Sequence, residues 1–195
     1  VATTPAHQEP LTPDRVYAHA LRLIDREGLD ALSMRRLAAD LGVEAASLYH
    51  HVAGKQAVLD GALALMRSEM QVSPTPSDNW KDDMEEIFLE YRRVLVAHPN
   101  MVLLAGRRTD HASESGLVYL MGRGFSLDDA VEVMQSLVAF VVGFSLFGSL
   151  DIAKGEEGMP PAVAARMRDW RETTCRATVR AILDSFEGRR RSAPG

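Results

Sequence analysis

The chain is expected to be all-α. Apolar residues recur at spacings of three and four along most of its length. Helix start signals (Ser or Thr, once with Pro following) and stop signals (Gly, His-Pro) bracket those periodic stretches. No stretch shows the alternation that a half-buried strand requires, and no internal repeat is present.

The elements follow in order. Residues 1–11 carry Pro5 and Pro10 among polar residues and are expected to be disordered. Thr12-Pro13 opens the first helix, with Thr at the cap and Pro where a missing N–H costs nothing. Val16, Ala20, Leu23 and Ile24 give it an apolar face up to Glu27, and Gly28 ends it. Ser33 caps a second helix that runs to Leu41. A third, short helix covers about Ala45 to His50, and a fourth runs from Lys55 to about Met70. Ser73 to Asn79 holds two prolines with Ser, Asp and Asn, and is read as a linker. Helical spacing resumes from Trp80 to about Ala97 and stops at His98-Pro99-Asn100. Shorter helices are expected over 101–107 and 111–123. Ser126 caps a long helix from about Leu127 to Leu150. Lys154 to Pro161 is read as a loop, and a last helix spans about Ala162 to Glu187. The expected division is a disordered 1–11, a first domain over 12–72, a second over 73–188 and a basic tail over 189–195.

Composition sets limits on function. The 195 residues are 46% apolar and 25% charged, an ordinary soluble balance. The lone Cys175 has no internal disulfide partner and fits a reducing cytosol. The first residues lack a basic region followed by an apolar run, so no signal peptide is expected. The apolar run Leu137 to Leu150 is interrupted by Ser and Gly and falls short of the roughly 20 residues of a membrane span, so it reads as a buried helix. A formal net charge of −5 argues mildly against a generic polyanion binder.

The stretch from Ser33 to Lys55 carries the functional signal. Two short helices joined by a tight turn, with a third before them, suggest a helix-turn-helix. Ala38 is small where the helices would cross, and Gly42 tolerates the positive φ that ends the first. Leu37, Leu41, Val43 and Leu48 are available to lock the pair. Helix-glycine-helix turns also occur in proteins that never touch DNA. Here the outward positions would be Ala45, Ala46, Ser47, Tyr49 and His50, which are small or hydrogen-bonding, with Arg35, Arg36 and Lys55 at the flanks. Such residues suit a groove about 12 Å wide and its phosphates. Residues 12–60 carry six Lys or Arg against seven Asp or Glu, so placement rather than net charge must supply the affinity.

Residues 12–60 resemble the DNA-binding domain of the tetracycline-repressor (TetR) family of bacterial transcription regulators. The resemblance rests on Ala20-Leu21-x-Leu23-Ile24, Gly28-Leu29, Leu32 to Ala38, Leu41-Gly42-Val43 and, most specifically, Ser47-Leu48-Tyr49 through Lys55 to Leu59. A weaker similarity over 80–151 is to the ligand-binding domain of the tetracycline repressors. Its residues are Gly124 to Ala130 with Gly143, Trp80-Lys81-Asp82 and Leu95 to His98. The resemblance implies a two-domain helical homodimer, joined by a four-helix bundle of about 127–150 and 162–187, that binds a palindromic operator and a small effector. It implies DNA contacts from Ser33, Met34, Arg35, Ala45, Ala46, Ser47, Tyr49, His50, His51 and Lys55. For Tyr49 the alternative is a ring packed on the first helix with only its hydroxyl exposed.

The tetracycline repressors hold their drug with magnesium through a histidine and a glutamate. Here those positions fall near Leu104 or Ala105 and on Phe147. Drug-contacting positions fall on Ile87 and Tyr91, and a histidine at the end of the fourth helix becomes Gln71. Neither metal nor cofactor is therefore expected. A largely apolar pocket of Gln71, Ile87, Tyr91, Leu104, Val131, Met134, Val138 and Phe147 would suit an apolar or aromatic effector, though these are also ordinary core residues. The 127–150 helix is apolar nearly all round, which predicts burial on two sides, one of them against a partner chain.

Rival readings remain at this point. A cluster of Asp110, His111, Ser113 and Ser115 lacks any nucleophile elbow or Gly-rich oxyanion loop, so catalysis is not expected. An activator, or a helical binding module that does not read DNA, stays open. The expected location is the cytoplasm, with no membrane contact.

Overall fold

The computed structural model describes residues 10–73, 75–107, 113–152 and 160–190. All regular structure among them is helical. The chain divides into two compact units after Ser68, earlier than the boundary read at 72/73.

The first unit holds α1 (Pro13–Glu27), α2 (Met34–Leu41), α3 (Ala45–Tyr49) and α4 (Lys55–Arg67). Thr12 caps α1, its Oγ1 accepting from the Arg15 N–H at 3.3 Å. Gly28 then turns the chain out at φ 87°, and a single 3₁₀ turn, Leu29–Ala31, leads to α2. Ser33 caps α2 through the Arg36 N–H at 3.1 Å. Val16, Leu23, Ile24, Leu37, Leu48, Val58 and Met66 are fully buried and form one core. Gly61 of α4 lies directly against the ring of Tyr17 on α1, so the two helices approach closely there.

The second unit holds α5 (Trp80–Ala97), α6 (Val102–Arg107), α7 (Ser113–Gly122), α8 (Leu127–Ile152) and α9 (Pro161–Phe186). Helix α8 is central and packs on the other four. Buried Trp80 meets Phe125 edge to face, with centroids 4.8 Å apart, and its indole N–H donates to Glu187 Oε2 at 3.1 Å. Lys81 pairs with Asp184 at 2.7 Å, fastening the start of α5 to the end of α9.

Three expectations need correction. The fourth helix stops at Arg67 rather than near Met70, because the Gln71 and Ser73 N–H groups turn to Glu90 and Glu86 instead of helix carbonyls. The basic tail is not free at its start: Arg189 pairs with Glu132 and Asp129 and covers the Phe186 ring, and Arg190 pairs with Glu187 and donates to the Arg123 carbonyl. The apolar segment is also longer than it reads by eye. Leu127–Gly148 is long and apolar enough to cross a membrane by length and composition, while its packing on four helices places one side of it in the core of the second unit. Disorder over residues 1–9, the loop over 153–159, Arg191, Asp110 and His111 lie outside the described residues.

Candidate functional site

The turn between α2 and α3 is built from backbone. Gly42 adopts φ 69°, ψ 32°, the left-handed conformation that ends α2. The Val43 N–H then reaches back to the Ala38 carbonyl at 3.0 Å, which closes the turn. Leu48 is fully buried, and the Val52 N–H donates to its carbonyl at 2.9 Å, so α3 is pinned from within while its outer surface stays open.

That outer surface carries Ala46, Tyr49, His50 and His51, all exposed, with Ala45 and Ser47 half-buried. Tyr49 is 58% exposed, so its ring is not packed away under α1. Ser33 and Arg35 are exposed at the start of α2, and Met34 is half-buried. Lys55 is exposed at the first position of α4, where the helix dipole favours an anion. Arg36 is differently placed from its expected role at the flank. Its guanidinium clamps both oxygens of Glu27 at 2.8 and 3.1 Å and meets Asp40 at 3.0 Å, so it braces α2 on α1. The Asp40 bond first, and the Glu27 bonds next, hold its pKa above the ordinary value.

The residues expected to line a pocket separate into two sets. Tyr91, Leu104, Met134 and Val138 are buried on α5, α6 and α8, and Ile87 is half-buried. Val131 and Phe147 are 39% and 57% exposed on α8, and Gln71 is exposed. Neither of two clefts beside α5 gathers the set. One, of about 470 Å³, is lined by Gln71, Asp82, Glu85, Glu86, Leu89, Glu90 and Arg176 and is charged rather than apolar. The other, of about 80 Å³, includes Ile87 and Tyr119. Val131 and Phe147 belong instead to a row of exposed α8 positions, Val131, Gln135, Ala139, Gly143 and Phe147, each four residues from the last. Among the described residues, no cluster of three His, Cys, Asp or Glu could hold a metal ion.

Sequence reasoning missed the Glu27–Arg36–Asp40 brace and a set of α5 carboxylates bonded to the segment after α4. The acid-base spacing of four between Arg36 and Asp40 was a readable signal for the first. For the second the only signal was the spacing of Asp83, Glu86 and Glu90 on one helix face.

Comparison with known proteins agrees over both units. Residues 16–62 match the model of bacterial regulatory proteins, tetR family, and residues 73–184 match the tetracyclin repressor-like C-terminal domain. An HTH-type transcriptional regulator of Saccharopolyspora erythraea is 34% identical over 81% of this chain and 70% of its own length. The crystal structure of a TetR variant from Acinetobacter baumannii AYE, in complex with minocycline, superposes with a TM-score of 0.73 at 26% identity, over 94% of this chain and 100% of that one. The Streptomyces coelicolor protein ActR in complex with (S)-DNPA gives 0.72 at 26% identity, over 92% and 98%.

Proposed function

The chain belongs to the tetR family of bacterial regulatory proteins, and from that premise we propose that it is a homodimeric, cytoplasmic repressor, displaced from a palindromic operator by a small apolar or aromatic effector. Membership makes it a DNA-binding transcriptional regulator and not an enzyme. The observation that carries the reading is α3: anchored inward by fully buried Leu48 and open outward through Ala46, Tyr49, His50 and His51.

In this reading α3 enters the major groove. Ala45 and Ala46 offer methyl contacts, Ser47, Tyr49, His50 and His51 reach base edges or backbone, and Arg35 takes a guanine. Ser33, Met34 and Lys55 meet phosphates and the groove edge, Ser33 still having its hydroxyl proton to donate. Arg36, held by two carboxylates, adds little direct contact and instead fixes the angle of α2.

The effector would bind among Tyr91, Leu104, Met134 and Val138, where flexible Met134 can repack around it. By the same resemblance, Gln71, Ile87, Tyr91, Phe147 and either Leu104 or Ala105 fall where tetracycline repressors place drug and magnesium ligands, which supports an apolar effector held without metal. Solved relatives hold minocycline and (S)-DNPA, which supports a small-molecule effector of some kind. The exposed α8 row from Val131 to Phe147, with small Ala139 and Gly143 at its centre, supports pairing with a second copy. Two α3 helices would then address half-sites one DNA turn apart, roughly 34–36 Å.

Anisotropy titrations of the full protein on operator DNA, with excess non-specific competitor, test the reading. Arg35→Ala and Tyr49→Ala should weaken binding while leaving effector affinity unchanged. Operator affinity equal to that of wild type in both variants would mean that the α2–α3 surface does not read DNA.

A further inference from the structure

Within residues 69–73 and 75–79, backbone groups bond to side chains on one face of α5. The Gln71 N–H donates to Glu90 Oε2 at 3.0 Å, the Ser73 N–H to Glu86 Oε1 at 2.8 Å, and the Ser77 N–H to Asp83 Oδ1 at 2.8 Å. Farther along, Arg93 donates to the Glu69 carbonyl at 2.7 Å, and His98 Nε2 lies 3.1 Å from Glu69 Oε2. As the segment runs from 69 to 77, its partners run from 93 back to 83. Positions 83, 86, 90 and 93 follow steps of three and four, which align side chains on one helix face. The segment is therefore held largely through its main chain, by α5 carboxylates at Gln71, Ser73 and Ser77 and by Arg93 at Glu69, with the Glu69 side chain adding a contact to His98.

Its Ser77 end is locked a second time, from α7. Arg123 donates to the carbonyls of Ser77 and Asp78 and lies 3.4 Å from Asp83 Oδ2, and the Tyr119 hydroxyl donates to that same oxygen. Gly116, one turn before Tyr119, lies against Met134 of α8, where a Cβ would come within 2.6 Å of the methionine methyl. One side of α7 thus touches both the lock and the buried region assigned to the effector.

We propose that residues 69–73 and 75–79 form a detachable strap, that Asp83, Glu86 and Glu90 are its latch, and that effector binding loosens the latch through α7. This rests on the regulator reading above. Latched, the chain leaves the second unit at Glu69, directly after α4. Unlatched, about eleven residues become free tether, with a reach of up to about 36 Å. Two heads on such tethers lose the fixed spacing that a palindrome rewards, so operator affinity falls without unfolding either unit.

The test uses the full-length Glu86→Ala/Glu90→Ala protein beside wild type, and reads amide hydrogen exchange over 69–79 together with operator binding. Wild type should protect Gln71 and Ser73. The variant should exchange there at least about tenfold faster, with α1 and α5 protection unchanged, and should bind operator about tenfold more weakly. Glu86→Gln/Glu90→Gln, which keeps neutral acceptors, should fall between. Exchange in wild type at the rate of an unstructured chain, or no change in the variant, overturns the latch. Faster exchange with unchanged operator affinity overturns the regulatory role. A wild type that selects no DNA removes the regulator reading itself, and is told apart because the exchange result does not depend on DNA.

Discussion

Replacing Gly42 probes the turn on which α3 depends. At φ 69°, ψ 32° the residue sits in left-handed space, and it is exposed, so no buried contact of a new side chain could offset the strain. An L-residue with a Cβ pays about 1–2 kcal/mol there. Asn, which bonds locally to its own backbone, pays less, and a β-branched residue pays more. For a chain of this size each kcal/mol displaces Tm by about 2–4 °C, so Gly42→Ala should lower it by about 2–8 °C. Circular dichroism melts at one fixed protein concentration give the readout. The stability order should be Gly, Asn, Ala, Val. The turn bonds from Gly42 and Val43 to the Ala38 and Ala39 carbonyls involve only backbone, so a folded Asn variant should keep operator affinity. An unchanged Tm for Ala, or Asn less stable than Val, would refute the argument that conformation alone selects glycine.

Other expectations follow from the same structure. Tyr49→Phe should leave stability within about 0.5 kcal/mol, because the ring is exposed, yet weaken operator binding in an anisotropy titration. Leu48→Ala empties a fully buried site and should cost about 2–5 kcal/mol in urea unfolding, with DNA binding lost alongside. Gly61→Ala drives a methyl into the Tyr17 ring and should cost about 1–3 kcal/mol, most of it restored by adding Tyr17→Ala. Acid should loosen the second unit. Burial pushes the Asp83 carboxyl up, but the Tyr119 hydroxyl, Ser77 and Arg123 together bring it below its ordinary value, and the Gln71 N–H and Arg93 do the same for Glu90. Both groups are depressed in the folded state, so the unfolded chain takes up protons first. Their stabilisation is present above the ordinary carboxylate range, near pH 4, and is lost as pH falls through the lower folded values. Melts from pH 6 to 2.5 should show this loss, with a shallower slope in Asp83→Asn.

The sequence made the fold legible because helix signals are local. Thr12-Pro13, Gly28, Ser33 and Gly42 each act within one turn, and each stands where its chemistry predicts. The outer surface of α3 could be read in part for the same reason: burying Leu48 leaves Ala46, Tyr49 and His50 facing out, with Ala45 and Ser47 half-buried. Long-range pairing was not legible. Arg36 and Lys55 look alike as cations in the sequence, and only the packing of α1 against α2 brings Glu27 to the first. Likewise the strap's main-chain groups lie 6 to 24 residues along the chain from the α5 side chains that hold them, and because most of those bonds fall on the backbone the strap shows little pattern of its own. The α8 pocket residues fell into buried and exposed sets because α8 is apolar nearly all round. Periodicity cannot say which apolar face meets the core, and Val131 and Phe147 turned out to lie on the other.

Selection from a random double-stranded DNA library at low salt tests the central claim most directly. The account predicts one enriched palindrome with half-sites about one helical turn apart, and loss of that enrichment in Tyr49→Ala. A folded protein that enriches no sequence, or a Tyr49→Ala protein that enriches the same one equally well, would contradict it.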